Sequence, residues 1–121
     1  MNDEKQKEKL FNEGLKYYKD MNFFEAHESW ETLWSDFYLD DRKFMQGLIQ
    51  LSVSFYHFGN GNIKGAISQI KKSNEKFEQF SGIHRGINVT LLLSQISNVL
   101  ESYNQCNNLS NFDWSIIPTL E

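Results

Sequence analysis

The sequence predicts an all-α protein of about five helices, paired into antiparallel helical hairpins that form one compact bundle. Apolar residues recur at helical spacing, and no stretch shows the sustained alternation that is typical of a strand. The chain holds one proline, Pro118, so helices can run uninterrupted almost everywhere. With 121 residues, 40% of them hydrophobic and 23% charged, the composition is globular and fits a single domain over residues 1–121.

The first three helices follow from their apolar faces and from the turn signals between them. The apolar face of helix 1 consists of Leu10, Phe11, Gly14, Leu15 and Tyr18. Asn22 marks a turn, and the inward residues of helix 2 are then Phe23, Ala26, His27, Trp30, Trp34 and Phe37. We expect Asp40 and Asp41 to cap helix 3, because negative charge is favoured at a helix start. Helix 3, from about residue 42 to 58, is apolar on most sides and is therefore predicted to be central.

The remaining helices are bounded by turn residues as well. In the turn signal at residues 59–62, Gly61 ends one helix and Asn62 caps the next. The inward residues of helix 4, which ends at residues 81–82, are Ile63, Ile67, Ile70, Phe77 and Phe80. We expect His84 to be exposed in a loop beside Arg85, and Asn88 to cap helix 5. The apolar face of helix 5 comprises Val89, Leu92, Leu93, Ile96, Val99, Leu100 and Tyr103. Residues 106–121 form a tail that Trp114, Ile116 and Ile117 can dock on the helices.

A weak internal repeat supports the hairpin arrangement. A small residue, an aromatic residue and an alanine recur with the same spacing: Gly14, Tyr18 and Ala26, then Ser54, Phe58 and Ala66. An alanine near the start of the second helix lets two antiparallel helices approach closely. The pattern faintly resembles a tetratricopeptide-type hairpin.

Charge and hydropathy exclude several classes of function. The net charge of −4 and the presence of only Arg42 and Arg85 as arginines argue against nucleic-acid binding. The most apolar stretch, residues 47–58, is too short to cross a membrane. The single cysteine, Cys106, excludes an internal disulfide and fits a reducing compartment, so we expect a soluble cytoplasmic protein. Residues 25–41 hold six acids and no base, whereas residues 64–76 hold four lysines and one acid. These are either two solvated faces or, if helices 2 and 4 lie close together, mutually attractive ones.

A polar stripe on helix 2 is the first part of a candidate site. At 100° per residue, His27, Glu31 and Trp34 fall within about 60° of each other. We therefore expect His27 and Glu31 to point toward the core, with Glu28 nearer the edge. A carboxylate that faces apolar neighbours needs a partner, because burying it alone costs several kcal/mol.

The central helix supplies that partner. Gln46, Gln50 and His57 align within about 60° on helix 3. We expect them to face His27 and Glu31 across the helix pair, within the reach of a bridging water, with Trp30 and Trp34 at the flanks.

Two pairs of motifs resemble a known family. The first pair is FNEG at residues 11–14 and FEAHESWETLW at residues 24–34; the second is FMQGLIQL at residues 44–51 and HFGNGNIKGA at residues 57–66. Their residues and spacing resemble the domain of unknown function 309 family over residues 10–105. The resemblance implies a small all-helical protein without an established activity. It also implies a shared polar and aromatic set: His27, Glu28, Trp30, Glu31, Gln46, Gln50 and His57. Ser52 departs from the family pattern, which usually has alanine there.

The same cluster allows four interpretations. His27, Glu31 and His57 could hold a divalent metal, although glutamine is a poor transition-metal ligand and no cofactor is predicted. His27 and Glu31 could instead act as an acid–base pair in a hydrolase-like enzyme. The network could also simply fix the helix register. We favour a binding or interaction module for an unidentified protein or small molecule, with self-association left open, because many aromatic residues lie close to the cluster.

Overall fold

The chain folds into five α-helices and one β-hairpin in a computed structural model that describes residues 2–106 and 111–121. The helices are α1 (Asn2–Lys19), α2 (Phe23–Asp36), α3 (Arg42–Gly59), α4 (Ile63–Phe77) and α5 (Val89–Gln105). The all-α prediction is confirmed. In the described part of the chain, no helix combines the length and the hydropathy that a membrane crossing needs.

The α3 helix lies at the centre, as its sequence predicts, and packs against both α2 and α4. Its approach to α4 is close: a Cβ atom at Gly47 would lie 2.9 Å from the Phe77 ring, and Ser73 Oγ donates a 2.8 Å hydrogen bond to the Gly47 carbonyl. The α1 and α2 helices approach each other at least as closely, because a Cβ atom at Gly14 on α1 would overlap the indole of Trp30 on α2. Small residues therefore set the distance between neighbouring helices.

Asparagine caps begin two of the helices. Asn62 Oδ1 accepts a 2.9 Å hydrogen bond from the Gly65 amide, and Asn88 Oδ1 accepts a 3.1 Å bond from the Leu91 amide. Both predicted caps are confirmed. Asp41 occupies the N-cap position of α3, as predicted, but its side chain makes no cap hydrogen bond, because Arg85 and His84 engage both of its oxygens.

A short β-hairpin between α4 and α5 was not predicted. Its strands, β1 (Ile83–His84) and β2 (Ile87–Asn88), are too short to produce an alternating pattern. Arg85 and Gly86 form the turn with φ values of 52° and 77°, the left-handed conformation that tight hairpin turns require. The α4 helix ends at Phe77 instead of reaching residues 81–82.

The tail docks on the helices, as predicted, and Trp114 packs against the core. The Tyr18 hydroxyl donates a 2.7 Å hydrogen bond to the Pro118 carbonyl, and the Asn88 amide donates a 2.8 Å bond to the Glu121 carbonyl. Residues 107–110 of the predicted tail lie outside the described residues.

Candidate functional site

A cavity of about 190 Å³ opens between α2 and α3. Its lining residues are Glu31, Trp34, Gln46, Ile49 and Gln50. Four of these five are residues that the sequence singles out, so the helix pair does bring part of the predicted cluster together. Because α2 and α3 are joined by a short connection and run antiparallel, the end of α2 meets the beginning of α3 here.

Trp34 forms a fixed wall of this cavity. Its indole Nε1 donates a 3.2 Å hydrogen bond to the Arg42 carbonyl, and Arg42 Nη1 donates a 3.2 Å bond back to the Trp34 carbonyl. The Arg42 guanidinium carbon lies 3.9 Å from the centre of the indole ring. A cation over an indole face is a favourable contact, so this wall is in place before any ligand arrives.

Gln50 places an unsatisfied acceptor beside the cavity. Its Oε1 atom is buried and finds no hydrogen-bond donor among the described residues. A buried polar atom without a partner costs about 1–3 kcal/mol, and native structures hold few of them. A donor in the cavity reaches this buried oxygen only after the terminal amide of Gln50 rotates, and that torsion is broad in glutamine.

Glu31 lies at the mouth of the cavity and pairs with His27. The two side chains are one helical turn apart, with His27 Nε2 2.8 Å from Glu31 Oε2. The second ring nitrogen of His27, Nδ1, lies 3.1 Å from the Phe24 carbonyl oxygen. Both ring nitrogens therefore face acceptors. One carboxylate oxygen of Glu31, Oε1, is left to accept hydrogen bonds from a ligand.

The expected inward direction of Glu31 is wrong. The Glu31 side chain is 55% exposed, whereas that of His27 is 20% exposed. Trp34, which shares a helix face with Glu31, is only half-buried and does not mark the centre of the buried face. The fully buried residues of α2 are Ala26, Trp30 and Leu33, and Glu31 lies about 130° around the helix from their mean direction.

The other predicted site residues lie elsewhere. Trp30 belongs to the core, where its Nε1 donates a 3.1 Å hydrogen bond to the Phe11 carbonyl. Glu28 is exposed, as expected for the edge of the stripe. His57 is half-buried and lies seven residues, or about 10 Å, further along α3 from Gln50. Within the described part of the chain, no three histidine, cysteine or acidic side chains converge as a metal site would require. His27, Glu31 and His57 are therefore not brought together as three ligands.

A second polar cluster, Asp41, His84 and Arg85, was missed. Arg85 Nη2 donates to Asp41 Oδ1 at 2.9 Å, His84 Nε2 lies 2.8 Å from Asp41 Oδ2, and Arg85 Nε also contacts that oxygen. The cluster fixes the β-hairpin to the start of α3, and His84, expected to be exposed, is half-buried against the Phe44 ring. Burial raises the pKa of Asp41, but the hydrogen bonds and charges of Arg85 and His84 outweigh burial and lower it to about 2. No local pattern reveals this cluster, because more than forty residues separate its partners.

One family model matches the chain over residues 11–69, and its description reads "domain of unknown function (DUF309)". The matched range contains α2, α3 and every residue that lines the cavity, and it confirms the family resemblance over residues 11–69 of the expected range 10–105. No curated protein matches the chain.

Proposed function

We propose that the chain, which belongs to the domain of unknown function 309 family through residues 11–69, binds a cationic nitrogen group in the cavity between α2 and α3. The ligand class is an ammonium or guanidinium group. Such a group carries both a positive charge and several N–H donors.

The observation that carries the proposal is the pair of acceptors at this cavity. Gln50 offers a buried oxygen without a donor, and Glu31 offers a carboxylate with one oxygen unused by His27. A cationic N–H group would satisfy both at once, and hydrogen bonds to charged groups are the stronger kind. Trp34 and Ile49 provide apolar walls for the methylene groups that carry the cation.

The size of the cavity limits the ligand. A volume of about 190 Å³ accommodates one side-chain-sized group and is below the usual range for drug-sized ligands. We therefore expect the cavity to hold the end of a longer molecule, with the remainder of that molecule outside.

Acid–base catalysis by His27 and Glu31 is the second candidate, favoured by their 2.8 Å contact. In the observed geometry, however, Phe24 and Glu31 engage both ring nitrogens of His27. The imidazole would have to release one of them before it could exchange a proton with a substrate. Binding is therefore the function that the geometry supports best.

Isothermal titration calorimetry with small amides tests the proposal. The probes are acetyl-arginine amide and acetyl-lysine amide, and acetyl-citrulline amide is the neutral match for the first. We expect binding of the two cationic probes only. The Glu31→Gln variant removes the negative charge of this acceptor and should weaken binding of the cationic probes at least about tenfold. Glu28→Gln removes an exposed acid from the same helix outside the cavity and should change affinity by less than about twofold. Equal binding of the citrulline probe, or no binding of any probe at millimolar concentration, would overturn the proposal.

A further inference from the structure

Two exposed aromatic rings lie on the same helix pair as the cavity. Phe24 on α2 is 41% exposed and Tyr56 on α3 is 40% exposed, and their ring centroids are 5.4 Å apart. Beside them is a second cavity of about 330 Å³, whose apolar lining includes Met21, Phe23, Phe55 and Trp114. Exposed aromatic residues next to an apolar cavity form the kind of surface that anchors a large apolar side chain.

The two cavities lie along one line. Phe24 precedes Glu31 by seven residues on α2, and Tyr56 follows Ile49, which also lines the first cavity, by seven residues on α3, so each pair shares one face of its helix. Because the two helices are antiparallel, both separations correspond to about 10 Å in the same direction. His27 lies between the two cavities, since it contacts the Phe24 carbonyl and the Glu31 carboxylate. We call this surface, from Phe24 and Tyr56 to Glu31 and Gln50, the α2–α3 groove.

Charge indicates which chemistry fits the groove. Residues 25–41 include no lysine or arginine, and Glu28 and Glu31 are exposed on the side of α2 that carries Phe24. The arginine that follows, Arg42, already contacts Trp34. A negative surface of this kind attracts and orients a basic partner.

We propose that the α2–α3 groove binds an extended basic segment of another protein, which inserts a lysine or arginine side chain at Glu31 and Gln50 and an aromatic side chain beside Phe24 and Tyr56. The proposal rests on the proposed function, because the first anchor is the same cationic group. A segment in the polyproline II conformation advances about 3.1 Å per residue with three residues per turn, so side chains three positions apart lie about 9 Å apart on one face and match the two anchors. The bound segment should therefore have a basic and an aromatic residue three positions apart, in either order along its chain.

Short synthetic peptides test the groove by calorimetry. The probes are arginine-glycine-serine-tryptophan and its reverse, each capped at both ends. Acetyl-arginine amide is the single-anchor reference. Arginine-tryptophan-glycine-serine is the spacing control. We expect one of the correctly spaced peptides to bind at least about tenfold more tightly than the reference, and the spacing control to bind no more tightly than the reference.

Variants locate the gain in affinity. Phe24→Ser should reduce the peptide affinity to that of acetyl-arginine amide without changing the affinity of that reference. Ile83→Ser, which removes a side chain that is 75% exposed on the hairpin, is the matched control and should bind both probes like the wild type. If acetyl-arginine amide binds but the spaced peptides gain nothing, the groove proposal fails while the proposed function stands. If nothing binds, both fail.

Sedimentation equilibrium tests the competing occupant, a second copy of the chain. We expect a monomer. If the wild type is a dimer that Phe24→Ser dissociates and Ile83→Ser leaves intact, the groove binds a second copy of the chain. That result would overturn the proposal.

Discussion

Met21 and Gly61 hold the same position in two turns that lie forty residues apart. Both have left-handed backbone conformations, with φ values of 61° and 83°. The Met21 amide donates to the Tyr18 carbonyl at 2.9 Å, and the Gly61 amide donates to the Phe58 carbonyl at 3.0 Å. The weak repeat in the sequence therefore corresponds to two helical hairpins with equivalent turns. The first turn has Met21 at the left-handed position where the second has Gly61.

The Gly61 turn allows backbone strain to be measured without a clash. Among the described residues, a Cβ atom at Gly61 would meet nothing within 4 Å, so Gly61→Ala should lower the free energy of unfolding by about 1 kcal/mol through backbone strain alone. Gly59→Ala is the control, because Gly59 ends α3 and its added Cβ would lie 3.9 Å from the nearest atom. We expect the control to be neutral or stabilising by about 0.5 kcal/mol in urea unfolding. Equal destabilisation by both changes would contradict this account of the turn.

Two buried serines on α3 should differ sharply in their contribution to stability. Ser54 Oγ donates to the Ala66 carbonyl at 2.7 Å and accepts from the Tyr103 hydroxyl at 3.0 Å, so it joins three helices. Ser52 Oγ only reaches the Leu48 carbonyl of its own helix at 3.2 Å. We expect Ser54→Ala to cost about 2 kcal/mol, because it leaves a buried tyrosine hydroxyl without its partner, and Ser52→Ala to cost less than about 0.5 kcal/mol. Thermal and urea unfolding of the two variants would measure the difference, and similar losses would refute the assignment.

Asp41 should make the fold sensitive to acid. Its pKa is lowered to about 2 in the fold, against about 4 in an unfolded chain, so its contribution is present above about pH 4 and is lost as the pH falls toward 2. Near neutral pH, Asp41→Asn should lower the free energy of unfolding by about 1 kcal/mol, a value that allows for solvent screening. The two proteins should converge at about pH 2.

The neighbouring exposed residue provides the control for this pH dependence. Asp40→Asn should leave the difference between neutral and acidic pH as it is in the wild type, because Asp40 is exposed. A constant gap between Asp41→Asn and the wild type across the whole pH range would mean that the carboxylate is not the titrating group.

The sequence predicted the helices because periodicity and capping are local properties. The asparagine caps at residues 62 and 88 depend on residues only three positions away, and each is found as predicted. The central place of α3 also follows from its own residues, since a helix that is apolar on most sides has to be enclosed. The cluster of Asp41, His84 and Arg85 depends instead on how distant segments meet.

The candidate site was only partly predictable for a related reason. The spacing of Gln46 and Gln50 places them on one face of α3 whatever the neighbours are, and both line the cavity. The direction of Glu31 depends on where the centre of the buried face lies, and Trp34 is a poor marker of it because it lies at the edge of that face. Likewise, an antiparallel pair places His57 opposite the beginning of α2, away from Glu31. Helix periodicity alone does not determine that offset.

The buried oxygen of Gln50 should lower the stability of the ligand-free protein and contribute to ligand binding. Gln50→Leu removes a buried oxygen that has no donor among the described residues, and we expect it to raise the free energy of unfolding of the ligand-free protein by about 1 kcal/mol. The same change should weaken binding of acetyl-arginine amide. Gln6→Leu, at an exposed position on α1, is the control and should alter neither property. If Gln50→Leu were destabilising, the amide would already be satisfied in the free protein.

The central claim is that a cationic N–H group enters the cavity beside Gln50, and side-chain nitrogen resonances test it most directly. In ¹⁵N-labelled protein titrated with acetyl-arginine amide, we expect saturable shifts of the Gln46 and Gln50 amide signals and of the Trp34 indole signal. The side-chain amides of the caps Asn62 and Asn88 report on parts of the fold outside the cavity and should stay unchanged. The account would be contradicted if Gln50 did not shift at saturating probe, or if the shifts clustered around Asp41, His84 and Arg85 instead.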